Sequence, residues 1–308
     1  MKEVARHPGS TVREEGREGE EAARQGTIRL PRWRRRVPGV ARHAMLIGFS
    51  VAFMLPFFWM ITSALKTNQG VFARPVEWIP SPAHWENFEK AINYPGFPFW
   101  RMLWNSTFYA GGVTIGTVLS CAGVGYGFAR LRFPGRDTLF AITVSTLMVP
   151  AIVTFIPTYV LFKKLHLLGT YAPLIGPAFF GNAFFIFMMR QFFRGLPKEL
   201  EDAARIDGAG EFRIFWEIML PLVKPAMMVV AVFQLLYTWH ELFQPLVYLS
   251  DAKQYPLSIG LYAFRSMRVA EWSLIMAAST LVTLPLIVVF LFTQRYFLQG
   301  VRMTGIKG

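Results

Sequence analysis

Residues Met102–Ala129 read MLWNSTFYAGGVTIGTVLSCAGVGYGFA, 28 residues without a charge between Arg101 and Arg130. A helix rises about 1.5 Å per residue and the hydrocarbon core of a bilayer is about 30 Å thick, so this stretch crosses it with length to spare. Four more charge-free windows follow the same rule: Ala44–Leu65 with 22 residues, Thr138–Phe162 with 25, Leu167–Met189 with 23 and Trp272–Gln294 with 23. A sixth, Pro225–Leu249, is interrupted only by Glu241. Buried helices of a large soluble core do not supply so many. The expected fold is an all-α integral membrane protein of six transmembrane helices, at about 44–65, 102–129, 138–162, 167–189, 222–244 and 272–294. An outer cap at 66–101 and an inner loop at 190–224 connect them.

Composition agrees. Hydrophobic residues make up 53% of the chain, and only 17% are charged, against roughly a quarter in soluble domains. An ordinary soluble enzyme, a disordered chain and a fibrous protein are excluded. The single Cys121 excludes an internal disulfide and any cysteine-rich metal cluster, and in its apolar surroundings it reads as inert packing. The net charge of +13 follows from how inner loops are built rather than from nucleic-acid binding. With the amino terminus inside, the inner segments 24–43, 130–137, 190–224 and 295–308 carry nineteen Lys and Arg against nine in the outer segments, which puts both termini in the cytoplasm. Residues 1–43 read as a basic cytoplasmic tail, solvated and disordered over residues 1–30. It is too acidic for a targeting peptide, and Arg32, Arg34, Arg35 and Arg36 lie at the lipid headgroups.

The spans lack what a self-powered transporter needs. Coupling to protons or sodium usually uses an intramembrane carboxylate, and only Glu241 gives a secondary transporter or channel a foothold. No phosphate-binding loop of the G-x-x-x-x-G-K-[ST] type occurs either, so energy for transport must come from another subunit. Enzyme signatures fail as well. His240-Glu241-Leu242-Phe243-Gln244 begins like the zinc motif H-E-x-x-H but ends in Gln244, so no metal site and no catalytic residue is expected. Within the second span, Gly112/Gly116 and Gly123/Gly127 are spaced to let another helix approach closely.

The inner loop is patterned. Pro197 stands where a helix would begin, strong helix formers follow to Ile206, and Asp207-Gly208-Ala209-Gly210 marks a turn. Phe212, Phe215, Trp216, Met219, Leu222 and Val223 then make a helical stripe. A bend made of small residues lets another protein's groove close around it.

The spacing of Asp202-Ala203-Ala204, Gly208, Ile218, Leu220 and Pro221 resembles the EAA loop of permease subunits in binding-protein-dependent ABC importers, with Asp202 in place of the family's glutamate. Leu65-Lys66-Thr67-Asn68, Trp78-Ile79-Pro80-Ser81, Asn87-Phe88 and the terminal Gly305-Ile306-Lys307-Gly308 resemble the carbohydrate branch, most of all the maltose-type permeases. The resemblance spans roughly residues 40–308. It implies a MetI-like bundle in a bacterial or archaeal cell membrane, a second permease subunit, a homodimeric cytoplasmic ATPase, an extracytoplasmic solute-binding protein and a sugar-like substrate. ATP and Mg would belong to the ATPase, with no cofactor in this chain. The coupling set would be Asp202, Ala203, Ala204, Asp207, Gly208, Ala209, Ile218, Leu220 and Pro221. On this reading Gly208→Asp and Ala204→Asp both leave the protein inserted but uncouple ATP hydrolysis from uptake.

Gln234, Tyr237, Trp239, His240 and Glu241 cluster along the fifth span and offer the hydrogen bonds and aromatic faces that sugars need. An interfacial aromatic belt is the alternative reading of Tyr237 and Trp239. His240 and Leu242 depart from the Trp-Asn-Glu-Phe more usual in that branch.

Overall fold

A computed structural model describes residues 39–265 and 271–304; of the expected tail of residues 1–43, residues 1–38 lie outside them, as do the terminal residues 305–308, while residues 39–43 already belong to the first helix. No strand occurs among the described residues. The chain divides into two units, Met1–Pro56 and Phe57–Gly308. Helix α1, Gly39–Ala64, runs through the division. In the first unit every side chain from Val40 to Pro56 is exposed, among them Met45, Ile47 and Phe53. A helix apolar on all sides needs lipid or protein around it.

In the second unit α1 is followed by a segment that contains α2, Glu86–Ile92. The Asn87 amide donates to the carbonyls of Ala64 and Lys66, each at 2.8 Å. These lie at the end of α1, where backbone acceptors lack helical partners. Helix α3, Phe99–Arg130, is the axis of the unit. Next come α4, Arg136–Ser145, extended by a 3₁₀ turn to Met148, and α5, Ala151–Lys164. The span expected at 138–162 is therefore broken, with a 101° bend between its halves. Pro150 explains the break, since it offers no N–H and pushes Val149 into an extended conformation.

Helix α6, Ala172–Ile175, leads through a 3₁₀ turn into α7, Ala183–Arg194. Asn182 caps α7 by accepting from the amides of Phe184 and Phe185. Then follow α8, Glu199–Ile206, and α9, Glu211–Leu222, the latter meeting α10, Lys224–His240, at 75°. Helices α11, Phe243–Tyr248, α12, Leu257–Arg265, and α13, Trp272–Thr304, complete the described residues. Among the described residues four stretches are long and apolar enough to cross a membrane unbroken, and up to six when each bent pair is taken as one span. This is the all-helical membrane bundle expected.

Packing gathers around α3. Toward its amino end, Phe97, Phe99 and Met102 join Phe264, Ile275 and Ala278 in one core; toward its carboxyl end, Cys121 and Tyr126 join Met189, Phe193, Ile214 and Met219 in another. Buried polar groups are used as ties, as burial without a partner would be costly. The Asn105 amide donates to the carbonyls of Lys253 and Tyr255, and the Ser106 hydroxyl accepts from the Leu257 amide.

Glycines let α3 and the 172–194 segment approach. A methyl group at Gly116 would lie 2.9 Å from the Phe179 ring, and one at Gly125 would lie 2.7 Å from Met189 Cβ and 3.1 Å from the Arg190 amide. Gly112 meets Ile175 in the same way, as its spacing suggested. A methyl group at Gly123 or Gly127, by contrast, would meet nothing within 4 Å, so the second expected pair makes no such contact among the described residues. Gly125→Val is expected to destabilise the fold by about 1–3 kcal/mol through overpacking, while Gly127→Val leaves these contacts intact. Thermal unfolding of the two purified variants measures the difference.

Candidate functional site

The site is built on the segment between α7 and α10. Helix α8 carries Glu199, Glu201 and Asp202 in its first turn and Arg205 in its last, matching the helix dipole at both ends. It stops in a Schellman motif: the Gly208 amide donates to Arg205 at 3.1 Å and the Ala209 amide to Ala204 at 2.9 Å. Gly208 has φ of +79°, the left-handed region where a side chain is strained. The Asp-Gly turn is thus where its residue types put it.

The second helix departs from its expected stripe. Residues Ile214–Met219 form a π-helical turn, which widens the repeat to i→i+5. Ile214 and Met219, five apart, are both fully buried, whereas Phe212, Trp216 and Leu222 are exposed. The expected stripe keeps only Met219 and Val223 buried, with Phe215 half-buried. A regular helical period could not show this rotation.

The loop is anchored to the spans by charge. Arg130, the residue that ends α3, donates to the carbonyls of Phe193 and Leu196 and approaches Glu201 of α8 at 3.4 Å. Both side chains of that pair are nearly solvent-free, 3% and 5% exposed. Arg205 lies 3.7 Å from Glu201, 3.1 Å from Asp202 and 2.9 Å from Glu211. Glu211 in turn accepts from the Tyr126 hydroxyl at 3.3 Å. The network therefore joins α3, α7, α8 and α9, and borders a cavity of about 480 Å³. Burial pushes the Glu201 carboxyl above its ordinary range, while the hydrogen bond to Glu211 pushes Arg205 higher still.

Of the coupling residues expected from the sequence, Asp202, Ala203, Asp207, Gly208 and Pro221 are exposed, Ala209, Ile218 and Leu220 are half-buried, and Ala204 is buried at 7% exposure. Ala204 packs in the core with Ile214 and Met219. The loop also presents two apolar side chains that the sequence reading passed over as docking groups, Ile206 at 86% and Phe212 at 76% exposure. Arg130, Tyr126, Glu201, Arg205 and Glu211 were passed over too. Glu201 and Arg205 stand at i, i+4, the one local signal among them.

The five residues along α10 do not share one surface. Gln234 is buried and donates to the Thr238 hydroxyl of its own helix, and the Trp239 ring N–H donates to the Val282 carbonyl of α13. Tyr237 and His240 are exposed. Glu241 lies just past the helix end and accepts from the amides of Phe243 and Gln244, capping α11. Among the described residues no group of His, Cys, Asp and Glu is placed to hold a metal ion.

Residues 112–303 match the family described as the binding-protein-dependent transport system inner membrane component. A probable ABC transporter permease of Pyrococcus horikoshii is 33% identical over 83% of this chain and 94% of its own. The arabinooligosaccharides transport permease AraQ of Halalkalibacterium halodurans is 32% identical over 89% and 100%. The sn-glycerol-3-phosphate transport permease UgpE of Yersinia pestis is 34% identical over 84% and 94%. One chain in the crystal structure of a bacterial importer of the acidic polysaccharide alginate superposes with a TM-score of 0.75 at 23% identity, covering 87% of this chain and 99% of that one. The chain belongs to the inner-membrane-component family: it is a multi-pass permease subunit of an ABC transport system, not an enzyme. It works with a partner permease, an ATPase and a solute-binding protein.

Proposed function

We propose that this permease subunit forms, with its partner permease, an import path for an oligosaccharide or a related polar solute, and that the α8–α9 elbow docks on a homodimeric cytoplasmic ATPase. The substrate class is supported by the names of relatives that carry arabinooligosaccharides and sn-glycerol-3-phosphate. The docking surface is supported by one observation above all: Ile206 and Phe212 stand in the open on a loop whose base is clamped to α3 by a buried ion pair. Apolar side chains held out by a rigid base are what a partner's groove recognises. The elbow, and with it both termini, then lies on the cytoplasmic side, where ATP and Mg bind the partner. Tyr237 and His240, exposed on α10, are the side chains of their cluster best placed to meet solute.

Proteoliposomes test the assignment. The complete complex, given ATP inside and binding protein outside, is expected to accumulate labelled solute. The permease pair without the ATPase is expected to accumulate none under a proton or sodium gradient. Uptake driven by the gradient alone would overturn it.

A further inference from the structure

Beside the elbow, a second cavity of about 440 Å³ opens where α3 ends, α4 begins and α7 ends, lined by Arg130, Arg136, Asp137, Arg190, Arg194 and Lys198. Five cations face one carboxylate. Their pairing is uneven. Arg130 is held by the Phe193 and Leu196 carbonyls and Glu201, and Arg136 by Asp137. Arg190 donates to the Phe128 carbonyl, stacks 3.8 Å above the Phe140 ring and reaches Asp137 only at 3.8 Å. The side chains of Arg194 and Lys198 make no hydrogen bond or ion pair among the described residues. Arg194 and Lys198, both exposed, stand beside a third cation, Arg190, that is largely desolvated, and one carboxylate, Asp137, does not balance the cluster; the excess positive field favours an anion.

Position says which anion. Arg130, Arg136 and Arg194 each mark the end of an apolar span, so the cavity lies at the depth of lipid headgroups. An apolar surface leads away from it. Phe140 stacks on Phe187 with ring centroids 6.2 Å apart, and Phe187, Phe184 and Leu139 are exposed along α7 and α4. A phosphate group in the cavity thus has a path for an acyl chain directly beside it.

We infer that this cavity binds the phosphate of an anionic phospholipid, with Arg194 and Lys198 as the charge-reading residues and the Phe140–Phe187 ridge receiving the chain. A basic pocket between spans is a physically sound headgroup site, and the bidentate fork of Arg194 suits phosphate oxygens. This reading does not depend on the docking assignment above.

The purified importer complex is compared with one carrying Arg194→Gln and Lys198→Gln, each titrated with phosphatidylglycerol, with phosphatidylcholine and with inorganic phosphate. Bound lipid is counted by native mass spectrometry, and thermal unfolding is followed in parallel. The wild-type complex is expected to retain phosphatidylglycerol and gain stability from it, with affinity falling roughly 30-fold in the double variant. A conservative Arg194→Lys chain is expected to keep most of the binding, which separates loss of charge from loss of fold. Equal retention of phosphatidylcholine, or undiminished phosphatidylglycerol in the double variant, would overturn the proposal. Stabilisation by inorganic phosphate as strong as by the lipid would show a site for the free anion and overturn the lipid assignment.

Discussion

A chain carrying Ile206→Asp is expected to insert and fold normally and to support almost no ATP-driven uptake. Ile206 is 86% exposed at the end of α8, and a substitution at such a position costs folding within about 0.5 kcal/mol. In a docked complex the same carboxylate would be pressed into a groove that had enclosed an alkyl side chain. Truncated or mismatched anchors of this kind cost about 2 kcal/mol or more, and burying an unpaired charge adds to that. Co-purified ATPase should then fall more than about 30-fold, with uptake falling alongside. Normal transport by this variant would remove the elbow from the coupling path. The two substitutions first suggested by the loop's sequence are poorer tests, and for different reasons. Ala204 lies in the core beside Ile214 and Met219, so Ala204→Asp buries a charge inside this chain and would fail by misfolding. Gly208→Asp faces open space but must adopt a φ of +79°, a strain of about 1 kcal/mol that aspartate tolerates better than most.

What the sequence revealed and concealed divides along physical lines. Apolar length follows from the solvation of single residues, so windows free of charge pointed to the long apolar helices, but not to the breaks that bend two of them. The elbow was legible because Asp207-Gly208 and the capping pattern act over a few residues. Contacts between distant parts were not. Arg130 reads in sequence as the charge that closes a span, yet it reaches Glu201, 71 residues later. Gly125 carries the tightest approach to α7, while Gly123 and Gly127, which fit a spacing rule better, face nothing among the described residues. The spacing says that helices can meet, not which side they meet on. The π turn at Ile214–Met219 shows the same limit in a local form: one changed hydrogen-bond step moved the buried face by a residue. Along α10, polar and aromatic residue types suggested a common lining, but helical rotation turned Gln234 inward and Tyr237 outward.

Breaking the Arg130–Glu201 pair is expected to have the largest effect on stability, and the two halves should differ. Arg130→Met strips Glu201 of its nearest cation and also frees the carbonyls of Phe193 and Leu196. Glu201 then keeps only Arg205, 3.7 Å away and half in solvent, so the loss approaches but stays below the about 3–5 kcal/mol of a fully orphaned buried charge. Glu201→Gln keeps the shape and a polar head, and leaves Arg130 with its two carbonyl acceptors. Its cost should be smaller, about 1–3 kcal/mol. Thermal unfolding of the purified complexes should rank them in that order. The pH dependence gives an independent check. Burial raises the Glu201 carboxyl above its ordinary range, against the pull of Arg130 and Arg205, so the folded chain holds this proton more firmly than the unfolded chain does. The stability from this group is therefore complete below the ordinary carboxylate pKa and declines as pH rises through the raised folded value. Glu201→Gln should flatten that part of the stability profile, and an unchanged profile would mean that Glu201 titrates as an ordinary surface acid. Replacing both partners by apolar residues, Arg130→Met with Glu201→Leu, should recover much of the stability lost by Arg130→Met alone, since neither charge is then left buried. Uptake should not recover with it, because the ionic clamp that fixes α8 to the end of α3 is gone. A double variant that both folds and transports would reduce the pair to a packing element.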